Sequence, residues 1–185
     1  MKTKLLVFLD FANINALARN SVIRLDYRHL LEYLVADRFL IDAYVYVPVD
    51  PRNEHGLDKM VEELWQSGYS VQTKVGTIAG DSYKCNMDVE MAIDIVNAAY
   101  TVRPDIVVIA SGDGDMLPVI QLLRKMGIRA EVASFQSGAA RKLTIQASGF
   151  ISLDQYVEDS MQEGESSNFE ERLPCAADLS VAAVN

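Results

Sequence analysis

The sequence predicts a three-layer α/β domain with a mainly parallel sheet, and three observations predict it. Strand-like and helix-like segments alternate almost throughout residues 4–157. Two runs, Leu5–Leu9 and Ile106–Ala110, are wholly apolar, as strands buried on both faces are. The second run ends in Ser111-Gly112-Asp113-Gly114-Asp115, a glycine-loosened turn that opens straight into a helical pattern.

Taken in order, Lys4–Leu9 is a central first strand. Phe11–Asn20 has helical composition, with Asn13 as a possible N-cap, and Asp26 is placed to cap a second helix carrying Leu30, Leu31, Leu34 and Val35 on one stripe. Ile41–Val49 is a second strand, stopped by Pro48 and Asp50-Pro51. Leu57, Met60, Val61 and Leu64 define a third helix ending at Gly68, and Tyr69–Val75 alternates as a strand nearer the sheet edge does. Gly76–Asn86 has no clear period and reads as a loop. Val89, Ala92, Ile93 and Val96 then mark the core stripe of a fourth helix, which Pro104 ends by pushing Arg103 out of helical geometry. After Ile106–Ala110, a helix beginning at Asp115 carries Leu117, Ile120, Leu122 and Leu123 and closes at Gly127. Ile128–Ser134 is a strand, Ser137–Ala147 a helix and Phe150–Leu153 a last short strand.

Composition bounds the rest. With 185 residues, half of them hydrophobic, the chain can build one domain with a substantial core. Residues 1–157 form that domain, and residues 158–185 read as an acidic, disordered tail with seven acids and one base. Of the net charge of −9, only −3 therefore belongs to the folded part. No basic surface drives nonspecific nucleic-acid binding, so a nucleic-acid role must rest on a local patch, on a metal, or on a homodimer that assembles the missing basic surface. No apolar run reaches membrane-spanning length, and the N-terminal one is broken by Asp10 after five residues, so it reads as a strand and no membrane is expected. Cys85 and Cys175 form neither a disulfide framework nor a metal-ligand spacing, which makes a reducing cytoplasm the expected location. His29 and His55 likewise have no ligand partner at useful spacing.

The carboxylates carry the chemistry. Ligands of open parallel sheets bind at the carboxyl edges of the strands, where strand order reverses. Asp10 follows the first strand, and Asp113 and Asp115 follow the fourth. Asp88 opens a helix that runs back antiparallel to the strands, so its end lies at the same edge. If the first and fourth strands are neighbours, all four acids share one crevice. Two unit charges about 4 Å apart near a protein surface repel by roughly 4 kcal/mol, so such a cluster needs raised pKa values or a cation. All-oxygen ligation suits Mg²⁺ or Mn²⁺, which activates water for attack on a phosphodiester. Asp88, Asp115 and Asn13 could instead simply cap helices. One cap does not need two acids, which leaves Asp113 as the acid that capping does not explain. Asp94 lies away from the Val89 stripe and about 9 Å along the axis from Asp88, on a solvated face or in support of the site. Lys84 is the leading basic candidate for substrate contact, ahead of Lys74, Arg52, Tyr83, Arg141 and Lys142.

Three motifs together resemble the NYN domain, a branch of the PIN-like nuclease superfamily, and within it the LabA-like bacterial proteins. They are Phe8-Leu-Asp10-Phe-Ala-Asn13, Lys84-x-x-x-Asp88-Val-x-x-x-x-Asp94 and Ser111-Gly-Asp113-Gly-Asp115, spread over residues 4–157. The resemblance implies a PIN-like, Rossmann-like sheet of order 3-2-1-4-5, which sets strands 1 and 4 side by side. It also implies a Mg²⁺- or Mn²⁺-dependent acidic site and ribonuclease activity on RNA. Asp10, Asn13, Asp88, Asp113 and Asp115 would be its catalytic residues, the four aspartates its metal ligands, and Ser111, Asp94 and Lys84 their support or substrate contacts. One departure stands out: many relatives read K-G-x-D where Cys85-Asn86-Met87 here separates Lys84 from Asp88. LabA-like proteins also include regulators, so a binding module with little turnover is the alternative expectation. A phosphatase of the haloacid-dehalogenase type fails at its first motif, because Phe11 and Ala12 follow Asp10 where a second aspartate is needed.

Overall fold

The computed structural model describes residues 3–20, 23–80 and 82–160. Six strands form one parallel sheet: β1 (Lys4–Asp10), β2 (Phe39–Val49), β3 (Ser70–Val75), β6 (Ile106–Ala110), β7 (Arg129–Ser134) and β8 (Gly149–Ser152), in the order β3-β2-β1-β6-β7-β8. The expected five-strand order is present, with β8 added as a sixth strand beyond it. The order reverses between β1 and β6, whose register runs from Leu5 opposite Ile106 to Leu9 opposite Ala110. Both strands are buried along their length because helices cover the two faces of the sheet.

Alternate residues of each strand feed two separate cores. Leu5, Val7, Leu9, Val45, Val47 and Val108 pack against α1 (Phe11–Asn20), α2 (Tyr27–Val35) and α3 (Asp58–Gln66). Leu6, Phe8, Tyr46, Val107 and Ile109 face α4 (Asp88–Thr101), α5 (Leu117–Lys125) and α6 (Arg141–Gln146). This is the three-layer arrangement that alternation of strands and helices requires.

Local signals explain most element ends. The Asp26 carboxylate accepts the main-chain N–H groups of Arg28 and His29 and so caps α2. Arg103 ends α4 with a positive φ of 52°, and its N–H donates back to the Ala98 carbonyl at 3.2 Å just before Pro104. Gly68 and Gly127 take the left-handed conformation just after α3 and α5.

Several expectations are corrected. Pro48 does not stop β2; the strand runs on to Val49, pairing Pro48 with Lys74 of edge strand β3. Residues 76–86 are not merely a loop, since β4 (Thr77–Ala79) and β5 (Ser82–Lys84) make a small antiparallel hairpin. Asn13 caps nothing: α1 begins at Phe11, and Asp10 accepts the Asn13 N–H at 3.1 Å. In α4 the buried side chains are Met91, Ile95, Ala98 and Ala99, while Val89 and Ile93 of the expected core stripe are exposed. Residues 153–160 are helical, so order continues past the expected boundary at residue 157. The rest of the acidic tail, residues 161–185, lies outside the described residues. No helix among the described residues is long and apolar enough to cross a membrane.

Candidate functional site

The carboxyl edge of the sheet at the β1/β6 reversal is organised by one carboxylate. Asp10, the last residue of β1, accepts the Asn13 N–H at 3.1 Å and the Ser111 hydroxyl at 3.1 Å. Ser111, fully buried at the end of β6, in turn accepts the Asp113 N–H at 3.2 Å. The Asn13 side-chain carbonyl accepts the Gly112 N–H at 2.9 Å. The start of α1 and the loop after β6 are thus sewn together by short polar side chains, which fixes where Asp10 and Asp113 stand.

Beside this seam lies a cleft of about 210 Å³. Asp10, Asn13, Asp88 and Asp113 line it, together with Tyr46, Pro48 and the segment Cys85–Met87. Burial raises the Asp10 pKa above the ordinary carboxylate range, and the charges of Asp88 and Asp113 add to that rise; the bonds from Asn13 and Ser111 oppose it. Asp88 is raised as well, first by burial and then by Asp113, Asp115 and Glu90, against a lowering bond from Asn86. The Asn86 amide donates to Asp88 Oδ2 at 2.6 Å, and the Asp88 N–H donates back to Asn86 Oδ1 at 2.7 Å. Asp10 therefore feels the charges of Asp88 and Asp113, and Asp88 those of Asp113 and Asp115.

The structure assigns the capping role differently from the sequence reading. Asp113 Oδ1 accepts the Asp115 N–H at 2.9 Å and opens the short 3-10 turn Gly114–Met116 ahead of α5. Asp113 is the cap, and Asp115 is the acid that capping does not explain. Asp115 stands with Asp88 on the far rim, over a groove between α4 and α5. Asp94 sits one layer below, where the Tyr46 hydroxyl donates to its Oδ2 at 2.8 Å. Lys84 is exposed at the end of β5 and is not brought into the cleft. A different base approaches: a Cβ built on Gly114 would stand 3.1 Å from Lys142 Nζ, so the ammonium lies against the backbone between Asp113 and Asp115.

Tyr46 and Asn86 are the positions that sequence reasoning missed. Tyr46 is the register partner of Asp10 on β2, a signal that needs the strand pairing to be visible. Asn86 stood two residues before Asp88, the spacing at which a side-chain amide bonds the backbone two residues on.

The donor set is wholly oxygen, and its charges repel one another, which fits a hard divalent cation. Among the described residues, no three His, Cys, Asp or Glu side chains are gathered tightly enough to hold an ion as placed. The aspartates ring the cleft and its rim instead.

Comparison with known proteins bears on the family and the fold. The model of the NYN domain family matches residues 4–154. The chain is 29% identical over 162 residues to the low amplitude and bright protein LabA of Synechococcus elongatus, covering 82% of this chain and 84% of that protein. A crystal structure of a protein of unknown function from Vibrio parahaemolyticus shares the fold at a TM-score of 0.68 and 20% identity, covering 82% of this chain and 93% of that one. These likenesses make residues 4–154 a nuclease-like or RNA-related domain, of a class that typically works with divalent metals.

Proposed function

The chain belongs to the NYN domain family, and from that premise we propose that it is a metal-dependent ribonuclease of the cytoplasm, cleaving RNA at the Asp10/Asp88/Asp113/Asp115 cleft. The observation that carries the proposal is the convergence of Asp10, Asp88 and Asp113 on one cleft, where burial, and after it the charge of Asp113, raises the pKa of both Asp10 and Asp88. Carboxylates held together against their own repulsion are matched to a cation. Mg²⁺ or Mn²⁺, when bound there, would activate water and stabilise charge developing on the phosphodiester.

The chain's own residues do the rest. Ser111 and Asn13 fix the two loops that present Asp10 and Asp113. Asn86 orients Asp88 by a reciprocal pair of hydrogen bonds. Lys142, lying against Gly114, offers a cation to a substrate phosphate at the edge of the acidic cluster. Asp94 supports the cleft through Tyr46.

A second reading is a regulatory module that binds RNA or protein with little turnover. It is favoured by the acidic balance of the chain, net −9, which leaves few cations for nucleic acid. Labelled RNA incubated with Mn²⁺, with EDTA, and with the Asp88→Asn variant separates the two. Cleavage that needs Mn²⁺ and disappears in a folded Asp88→Asn protein supports the nuclease. Binding that persists without metal-dependent cleavage supports the second reading.

A further inference from the structure

We infer that the exposed apolar seam of α4 is a homodimer interface, in which α4 packs antiparallel against α4 of a second copy about a two-fold axis. Val89, Ile93 and Tyr100 are 67%, 55% and 59% exposed, although each is a large apolar or aromatic residue. With half-buried Val96 they fall at successive spacings of four, three and four residues. That is the heptad spacing of a helix–helix seam, and it lies on the side of α4 away from the core residues Met91, Ile95, Ala98 and Ala99. Beside the seam runs a groove of about 660 Å³ between α4 and α5, walled by Ile93, Val96, Pro118 and Val119. A facing helix has both a ridge to meet and a groove to enter.

Charge selects the occupant and its direction. α4 and α5 both run from the carboxyl edge of the sheet to its amino edge. The acids Asp88, Glu90 and Asp115 sit at the first end, where Lys74 is already paired with Glu90. Arg103 follows the last residues of α4, and Lys125 occupies the last turn of α5, at the second end, while Arg124 turns away to the Gln146 carbonyl of α6. The face is therefore acidic at one end and basic at the other. A second copy rotated by a two-fold axis lays its basic end on the acidic end of the first, twice over, as an isologous interface requires. A parallel pairing would set like charges together. An axis between Ile93 and Val96 brings Val89 opposite Tyr100 of the partner subunit. It also brings Arg103 of the partner subunit toward Asp88, at the edge of the cleft, supplying cations that one copy lacks there. The pairing itself does not depend on the nuclease reading.

The test uses the full chain. Sedimentation equilibrium in the tens-of-micromolar range should return twice the chain mass of 20.5 kDa for the wild type. Ile93→Glu, at an exposed position, should halve that mass with the circular dichroism spectrum unchanged. A Val89→Cys/Tyr100→Cys double variant on a Cys85→Ser/Cys175→Ser background should form an intermolecular disulfide on mild oxidation, whereas either single cysteine variant should not. A monomeric wild type, or a dimer indifferent to Ile93→Glu, overturns the interface. Cross-linking by the single variants overturns the antiparallel direction. A monomer whose apolar-dye binding rises when residues 161–185 are deleted overturns the dimer and gives the seam to the chain's own tail. A monomeric wild type that still cleaves RNA would leave the proposed activity standing and remove only the pairing.

Discussion

The Tyr46 hydroxyl reaches across 48 positions of sequence to donate a 2.8 Å hydrogen bond to Asp94. Burial raises the Tyr46 pKa far above the ordinary phenol value, and the Asp94 carboxylate raises it further, so the group stays a neutral donor. Its ring also lines the acidic cleft, in register with Asp10. Asp94 is thereby a buttress of the cleft wall and not a solvated charge of α4. Tyr46→Phe should cost about 1.5 kcal/mol, the order expected for a hydrogen bond to a charged acceptor. Urea unfolding checks it, and an unchanged midpoint would show that water replaces the phenol at no cost.

Divalent cation should stabilise the fold through the acidic cleft. At a concentration about 100-fold above its dissociation constant, a ligand bound only to the native state contributes about 2.7 kcal/mol. Asp88→Asn should lose most of that gain. In metal-free buffer near neutral pH the same variant should be no less stable than wild type. The sign follows from Asp88 itself: its folded pKa is raised by burial and by Asp113, Asp115 and Glu90, so its ionised form costs stability above that pKa. Thermal unfolding with and without Mn²⁺ measures both effects. Equal Mn²⁺ shifts for the two proteins would remove Asp88 from the metal site.

Gly112→Ala should displace the loop that carries Asp113. A Cβ there would run into the Gly138 carbonyl oxygen and come within 2.8 Å of the buried Ser134 hydroxyl. Overpacking of this kind costs about 1–3 kcal/mol. Asn13→Ala, which removes only the acceptor of the Gly112 N–H, should cost about 1 kcal/mol. Chemical denaturation ranks the pair, and a Gly112→Ala protein as stable as wild type would show that the loop shifts freely.

Acid should weaken the opposite edge of the sheet. Burial raises the Glu131 pKa, but bonds from Arg129 and Arg38 outweigh it and hold the carboxyl below its usual value. The Arg38 guanidinium donates to Glu131 Oε2 at 2.6 Å, and Arg129 Nε donates to Oε1 at 2.6 Å. A lowered folded pKa means stability that is present above the unfolded carboxylate value and is lost as pH falls through the folded one. Glu131→Gln should flatten that acid limb and lower stability at neutral pH by about 1.5–3 kcal/mol. Stability measured against pH for both proteins decides it. Identical acid limbs would assign the loss to other groups.

The sheet was legible because its signals are long and unmixed. Ile106–Ala110 offers five apolar residues in a row, and only burial on both faces explains them. The convergence of Asp10, Asp88 and Asp113 followed from strand and helix direction once β1 and β6 are neighbours, an adjacency that the family resemblance implied. The face of α4 was not legible, because the helix is apolar on two sides. Met91, Ile95, Ala98 and Ala99 enter the core, while Val89 and Ile93, spaced as a core stripe would be, stay outside. Periodicity finds a stripe but cannot say which of two is covered. The β4/β5 hairpin escaped notice because three residues are too few to show alternation. Exchange of the capping role between Asp113 and Asp115 hinges on a 3-10 turn of three residues, which leaves no trace in composition.

Asp10 does two jobs with one carboxylate: one oxygen holds the first turn of α1, and the other holds Ser111 at the end of β6. A genetic screen would therefore see position 10 ambiguously. A substitution there lowers the amount of folded protein in the cell along with whatever the cleft does, so its phenotype reads as absence of the gene product. Asp88, whose hydrogen bonds go to nearby Asn86, carries no such burden between distant segments. An allele at position 88 would leave abundance intact and report on the cleft alone, which makes it the cleaner one to place on a chromosome.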